Sequence, residues 1–417
     1  MHTFKTMLGT LQGNARIIVL TEAISAIPFQ WQRLYMPLYM LALGVGEIEV
    51  GLLASALFAM RFVGTLFGGY AADRFGRKRV LVVFDIVSWS IPMLLFAIAQ
   101  NPLYFLIGQL LNGFVYIVLP SFDCLFVEDV PEKNRTGVFG SLALFTAAAS
   151  LLAPVGGFLI EQWGIVTGGR IIMWVTFAST FSVAIIRQIT LRETSMGNVR
   201  MAEVQAKPPL VLVAEYAQTI RHTVQNNAIR NVLSIRILQD FSLIVWTTYA
   251  AIYMTDQQGL ALSEGIIAYL PFIGAIVVIL ILTLAAKRMQ SDHTFVNLSW
   301  GQGIWLVGAI SFVLSPMNTI WFVIIWAIGD AICQAIFQPA LQSHWANIVD
   351  DKERAQVFSA SSALIMLCII PAGPLAGALY QLWPQSPFIL AIGLQVIVFV
   401  LIVLGKHHTH TDSQSQS

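Results

Sequence analysis

The chain has 417 residues, of which 57% are hydrophobic and only 11% charged, and its mean hydropathy is +0.74. Soluble domains carry about 25% charged residues, so this composition excludes an ordinary soluble domain and points to a lipid environment. The net charge of +1 gives no sign of a nucleic-acid partner and leaves the position of charge along the chain as the informative quantity.

A bilayer needs runs of about 20 apolar residues, and twelve such runs are expected. The first, 16–42, carries Glu22 and Arg33, which lie on one helical face together with Ser25 and Phe29, roughly 16 Å apart along the axis. It is long enough to span and lacks a small-residue cleavage site, so it is expected to act as its own insertion signal. The second, 48–72, has Arg61 at its middle; the third, 80–99, has Asp85; the fourth, 103–126, has Gln109, Tyr116 and Asp123. Spans at 136–160 and 168–190 complete a first set of six. A connection at 191–229 contains Pro208 and Pro209, and its apolar positions Leu212, Ala214, Ala217 and Ile220 predict an amphipathic helix along the membrane face. The second set is 230–254 (Arg236, Asp240, Trp246), 263–286, 294–314, 319–342 (Asp330, Gln334, Gln338), 356–380 and 386–405.

All Lys and Arg other than Arg33, Arg61, Arg170 and Arg236 fall on one side of this topology. By the positive-inside rule that side is the cytoplasm, which places both termini inside. The outer loops carry Glu47, Glu49, Asp256 and Glu264 instead. Cys124, Cys333 and Cys368 lie within apolar runs and read as small core residues.

Between the second and third spans stands Gly69-Tyr70-Ala71-Ala72-Asp73-Arg74-Phe75-Gly76-Arg77-Lys78-Arg79-Val80-Leu81. This segment resembles the signature loop of the major facilitator superfamily, Gly-x-Leu-Ala-Asp-Arg-x-Gly-Arg-Lys-x-x-Leu, departing only at Ala71. The resemblance implies an all-α membrane protein of 12 transmembrane helices in two pseudo-symmetric six-helix bundles. The expected division is 1–190, a cytoplasmic linker 191–229, 230–405 and a tail 406–417. It implies a gating role for Gly69, Asp73, Arg74, Gly76 and Arg77: Asp73 would contact the other half near the eleventh helix, and Arg77 would pair with Asp129 or Glu128.

An internal repeat supports the two halves. Arg16 aligns with Arg230, Tyr35-x-x-Leu38-Tyr39-Met40 with Tyr249-x-x-Ile252-Tyr253-Met254, and Pro154 with Pro374. Pro154 and Pro374, each among glycines, are expected to act as hinges. Ala153-Pro154-Val155-Gly156-Gly157 resembles the fifth-helix motif of the family's antiporters with Ala153 in place of Gly and one residue fewer. Gln109 stands where many of its proton antiporters have Arg.

Ionisable groups deep in a bilayer are functional by default. The expected pathway therefore comprises Glu22, Phe29, Arg33, Arg61, Tyr116, Asp123, Asp240, Trp246, Asp330 and Gln334. Glu22, Asp240 and Asp330 are the candidate proton carriers, with Trp31, Phe29, Tyr116 and Trp246 as an aromatic wall. No Gly-x-x-x-x-Gly-Lys-Ser/Thr loop occurs, so a gradient is the expected energy source. No cofactor or metal is expected, the histidines at 407, 408 and 410 lying on a terminal tail. The expectation is a monomeric, multi-pass protein of the cell (inner) membrane, not an enzyme. It would exchange protons for a small organic or amphipathic compound that it exports. A second reading is proton-coupled uptake of an organic anion held by Arg33 and Arg61.

Overall fold

Sixteen α-helices follow one another without a strand among the described residues, which in this computed structural model are 11–203, 217–221, 225–284, 294–349 and 354–415. In chain order they are α1 (Gly13–Ala42), α2 (Glu47–Phe75), α3 (Arg77–Asp85), α4 (Ile91–Ala97), α5 (Pro102–Gly113), α6 (Val115–Val127), α7 (Glu132–Ser150) and α8 (Ala153–Thr190). Then come α9 (Ser195–Glu203), α10 (Asn227–Thr255), α11 (Tyr269–Leu284), α12 (Thr294–Val313), α13 (Trp321–Ile348), α14 (Arg354–Ile369), α15 (Ala372–Leu382) and α16 (Ser386–Ser415). Helices predominate because lipid offers no partner for free backbone N–H and C=O groups.

Nine described helical segments are long and apolar enough to cross a membrane. One of them, Gly137–Thr190, covers 54 residues and is interrupted twice. Leu151 and Leu152 separate α7 from α8, and Gly164, at φ +71° and ψ 167°, breaks the helical backbone inside α8. Helices α1 and α10 have 30 and 29 residues. They are more polar, carrying Gln30, Gln32 and Arg33 in the one and Arg236, Gln239 and Asp240 in the other.

The cationic segment is not an open loop. Helix α2 runs through Gly69 to Phe75, and α3 begins at Arg77, so Gly76 alone makes the turn with φ +86°. That backbone region is one glycine enters without a Cβ clash. Pro154 and Pro374 also differ from expectation: neither kinks a continuous helix. Each lies in the first turn after a break, at α8 and at α15, where the missing N–H costs nothing. The amphipathic helix expected near 210–229 falls largely outside the described residues, as do Lys287, Arg288 and Lys352. The described part of the linker holds α9 and residues 217–221.

The chain forms two compact units, residues 1–45 with 56–213, and 46–55 with 214–417. In the first, α1 packs along α8, and Ile18, Val19, Leu81, Leu125, Phe126 and Val138 form a closed core. In the second, Trp246 stacks on Trp326 at 5.1 Å and meets Phe312 and Phe388 edge-on or tilted at 4.9 Å each. The first turns of α2 belong to this unit. Gly51 and Gly373 approach so closely that a Cβ on either would fall 2.2 Å from the other's carbonyl oxygen. The repeat is visible in the packing: Tyr35, Tyr39, Tyr249 and Tyr253 are all fully buried. Two of these hydroxyls find carbonyls, Tyr39 donating to Phe96 O at 2.9 Å and Tyr249 to Glu47 O at 2.8 Å.

Candidate functional site

Helix α8 presents Thr176, Thr180, Val183 and Arg187 on one face by their spacing of four, three and four residues, and all four are buried. Arg187, only 3% exposed, sits at the centre of a charge cluster. Its Nη1 donates to Asp85 Oδ2 at 2.7 Å, its Nη2 to Glu22 Oε1 at 2.6 Å, and its Nε to Thr21 Oγ1 at 3.1 Å. Thr21 passes its own proton to Ile17 O at 2.8 Å, so the hydroxyl is oriented to accept. The Phe122 ring lies 5.8 Å from the guanidinium carbon. Two carboxylates thus share one cation, and with both ionised the cluster carries a net charge of −1.

Asp85 is the last residue of α3, immediately before a π-helical stretch, Ile86–Ser90. The wider turn leaves a carbonyl free at Ser88, and Asn112 Nδ2 donates to it at 2.7 Å. Such stretches cluster at functional sites because they re-aim side chains. Here Trp89 is turned against Phe29, with ring centroids 4.6 Å apart. A cavity of about 290 Å³ opens beside the cluster, lined by Glu22, Phe29, Asp85, Trp89, Phe122 and Arg187 among others. Asp85 is 5% exposed, whereas the Glu22 side chain is 32% exposed. Both carboxylates line the cavity, and Glu22 is the more exposed of the two.

The sequence-level residues separate into groups. Glu22 and Phe29 come together at the cavity with Ser25, while Arg33 on the same helix is exposed. Asp123 is exposed as well and does not line this cavity, to which α6 contributes Val118 and Phe122. Asp330 accepts from Trp305 Nε1 at 3.0 Å and from Gln334 Nε2 at 2.6 Å. Asp240 is half-buried one turn from Arg236, close enough for the opposite charge to act on it. Trp246, expected on a cavity wall, is 6% exposed within the aromatic core of the second unit. Trp31 is likewise packed, its Nε1 donating to Leu152 O at 2.8 Å and its ring filling the space beside Gly156. Sequence reasoning passed over Arg187, counting it among the cytoplasmic cations at the end of a span. Its register with Thr176 and Thr180 was the available signal.

Arg61 has different surroundings. Its guanidinium carbon lies 4.9 Å from the Phe58 ring centroid and 5.5 Å from that of Tyr116. Its Nε is shielded and has no hydrogen-bond partner, and no carboxylate pairs with it among the described residues.

At the turn between α2 and α3, Arg77 is 4% exposed and pairs with Glu128, not with the exposed Asp129. It also donates to Thr194 Oγ1 at 2.7 Å, and Thr194 donates to Glu128 Oε2 at 2.6 Å. Asp73 Oδ1 is 3.9 Å from Arg77 Nη2. The same Thr194 hydroxyl accepts from Gly197 N at 3.0 Å, tying the start of α9 to the turn.

The family model of the Major Facilitator Superfamily matches residues 18–297 and, again, 244–417. The chain belongs to this superfamily. Among curated relatives, it is 22% identical over 379 residues to the quinolone resistance protein NorA of Staphylococcus aureus (strain COL), covering 89% of this chain and 91% of that one. It is 24% identical over 357 residues to the multidrug resistance protein MdtG of Rahnella sp. (strain Y9602), covering 82% and 81%. Among solved structures, a variant of the nucleoside transporter NupG superposes with a TM-score of 0.73 at 12% identity, over 94% of this chain and 100% of that one. This major facilitator chain is a multi-pass membrane transporter and not an enzyme.

Proposed function

We propose that this chain is a proton-coupled secondary transporter of the cell membrane that exports a small organic or amphipathic compound by alternating access. In this reading it has twelve spans in two sets of six, with both termini in the cytoplasm. The observation that carries the proton coupling is the cluster of Arg187, Asp85 and Glu22 beside an apolar cavity. Asp85 neutralises Arg187 from the buried side, so Glu22 is the surplus carboxylate and faces the cavity. A proton on Glu22 makes the cluster neutral; its release restores a net negative charge in a low-dielectric interior, where charge is costly. Proton occupancy thereby biases the balance between conformations, as any ligand with differential affinity does. Phe29, Trp89 and Phe122 supply apolar area for the compound. Two relatives named for resistance to quinolones and to multiple drugs support export as the direction. The turn at Gly69, Asp73, Arg74, Gly76 and Arg77, locked through Glu128 and Thr194, is in this reading the gate's cytoplasmic latch.

The test begins with growth inhibition of cells lacking or overproducing the protein across a panel of amphipathic antibacterials that includes quinolones. The protected compound is then followed in proteoliposomes with and without an imposed pH gradient. Proton-driven accumulation is expected for the wild type. Glu22→Gln is expected to lose uphill accumulation while retaining downhill flux. Flux indifferent to the gradient, or gradient-driven accumulation by Glu22→Gln, rules out the proposed coupling.

A further inference from the structure

Helix α2 places Phe58, Arg61, Thr65 and Gly68 at helical spacing, and this stripe faces α6. The helices are in close contact: a Cβ on Gly64 would lie 3.0 Å from Tyr116 Cβ, and one on Gly68 would lie 2.6 Å from Tyr116 O. Where α5 gives way to α6, a Cβ on Gly113 would lie 2.3 Å from Met60 Cβ. These close approaches set the Tyr116 backbone against α2. The Arg61 guanidinium carbon lies 4.9 Å from the Phe58 ring centroid and 5.5 Å from that of Tyr116.

Such a cation calls for a reason. Arg77 and Arg187 are each satisfied by carboxylates, whereas among the described residues Arg61 pairs with none and its Nε is shielded without a partner. Attraction to the two rings offsets only part of the cost of an unpaired guanidinium in a bilayer. The Tyr116 phenol favours the Arg61 charge, while the field of the like-charged Arg33 opposes it. A second cation and no paired acid among the described residues is the inverse of the surroundings of Arg187, and a fork of N–H donors between aromatic faces matches a planar oxyanion joined to an apolar body.

We propose that Arg61, between Phe58 and Tyr116, binds the carboxylate of an aromatic or otherwise apolar acid carried by this transporter. The cargo's ring or chain lies along the two aromatic side chains while its carboxylate takes the guanidinium donors. This deepens the export reading by naming the substrate class and rests on it for the statement that such acids are moved; the binding claim stands apart from direction and coupling.

The experiment measures equilibrium binding to the purified full chain in detergent of two acids, 2-naphthoate and decanoate, and of their neutral amides. Wild type is expected to prefer each acid over its amide by about tenfold or more, the effect of one charge-assisted hydrogen-bond pair. Arg61→Gln is expected to abolish the preference while still binding the amides, and Arg61→Lys to restore part of it. Thermal unfolding of Arg61→Gln without ligand is expected at or above the wild-type midpoint, because an unpaired cation is removed. The proposal is overturned if neither acid binds, if acid and amide bind equally, if Arg61→Gln keeps the preference, or if Arg61→Gln fails to fold. Acid preference in a protein that shows no proton-driven export would leave the anion site standing and remove the transport direction. Proton-driven export of a neutral compound by Arg61→Gln, without acid preference in the wild type, would do the reverse.

Discussion

Removing Arg187 is the sharpest perturbation of the charge cluster. Arg187→Gln deletes the donors to Asp85 at 2.7 Å and Glu22 at 2.6 Å and shortens the reach to Thr21. Asp85, 5% exposed, would then be a buried carboxyl without its counter-ion, left to bear the desolvation cost as a charge or to take up a proton. Breaking a buried ion pair from one side costs about 3–5 kcal/mol, most of it the penalty of the orphaned charge and not the worth of the pair. Glu22 adds less, because its partly exposed side chain keeps access to the cavity. Asp85→Asn alone leaves Arg187 with Glu22 and is expected to cost about 1.5–3 kcal/mol, the value of a charged hydrogen bond. In the double variant Arg187→Gln/Asp85→Asn no buried charge is orphaned at this pair. Its cost is expected to fall short of the sum of the two by about 1–3 kcal/mol. Reversible unfolding in mixed micelles reads all three. Strict additivity, or an Arg187→Gln cost under about 1 kcal/mol, would refute the claim that the cluster is electrostatically coupled.

Glu128→Gln is expected to destabilise by about 1.5–3 kcal/mol through loss of the charged contacts to Arg77, whereas the neighbouring Asp129→Asn should change stability by less than about 0.5 kcal/mol; equal effects in thermal unfolding would contradict the pairing. Trp246→Ala should cost about 3–5 kcal/mol as a core truncation while leaving the ranking of transported compounds unchanged; altered selectivity in a stable variant would return it to a cavity wall. Gly373→Ala places a methyl 2.2 Å from Gly51 O and should cost about 1–3 kcal/mol, unlike Gly393→Ala, where nothing lies within 4 Å; melting temperatures in detergent compare the two. Glu264 lies just before the Ile266–Thr283 span, and burial holds its carboxyl above the ordinary glutamate value. The protonated form therefore favours the folded state, so stability falls as pH rises from the unfolded-state pKa, about 4.3, through the raised one. Glu264→Gln should remove that fall, and a pH-stability difference curve that stays flat would count against it.

Lipid residence, the major facilitator signature and the duplication were legible in the chain because each is written in local terms. A bilayer demands apolar runs of about 20 residues, Gly76 marks a turn that only a positive φ allows, and repeated tyrosines such as Tyr39 and Tyr253 recur at fixed spacing. Glu22 and Phe29 were legible as one helical face for the same reason, since 100° per residue is a property of the helix alone. What a buried charge does depends instead on what it meets. Arg187 meets Asp85 and Glu22 across 102 and 165 residues of chain, and no periodicity spans that interval. Trp246 and Arg61 looked alike as intramembrane side chains, yet packing closed the first into an aromatic core and left the second between two rings with no paired acid among the described residues. Periodicity and charge count along one helix established which residues would leave the lipid; only the approach of distant helices decided which of them would be neutralised and which would remain for a ligand.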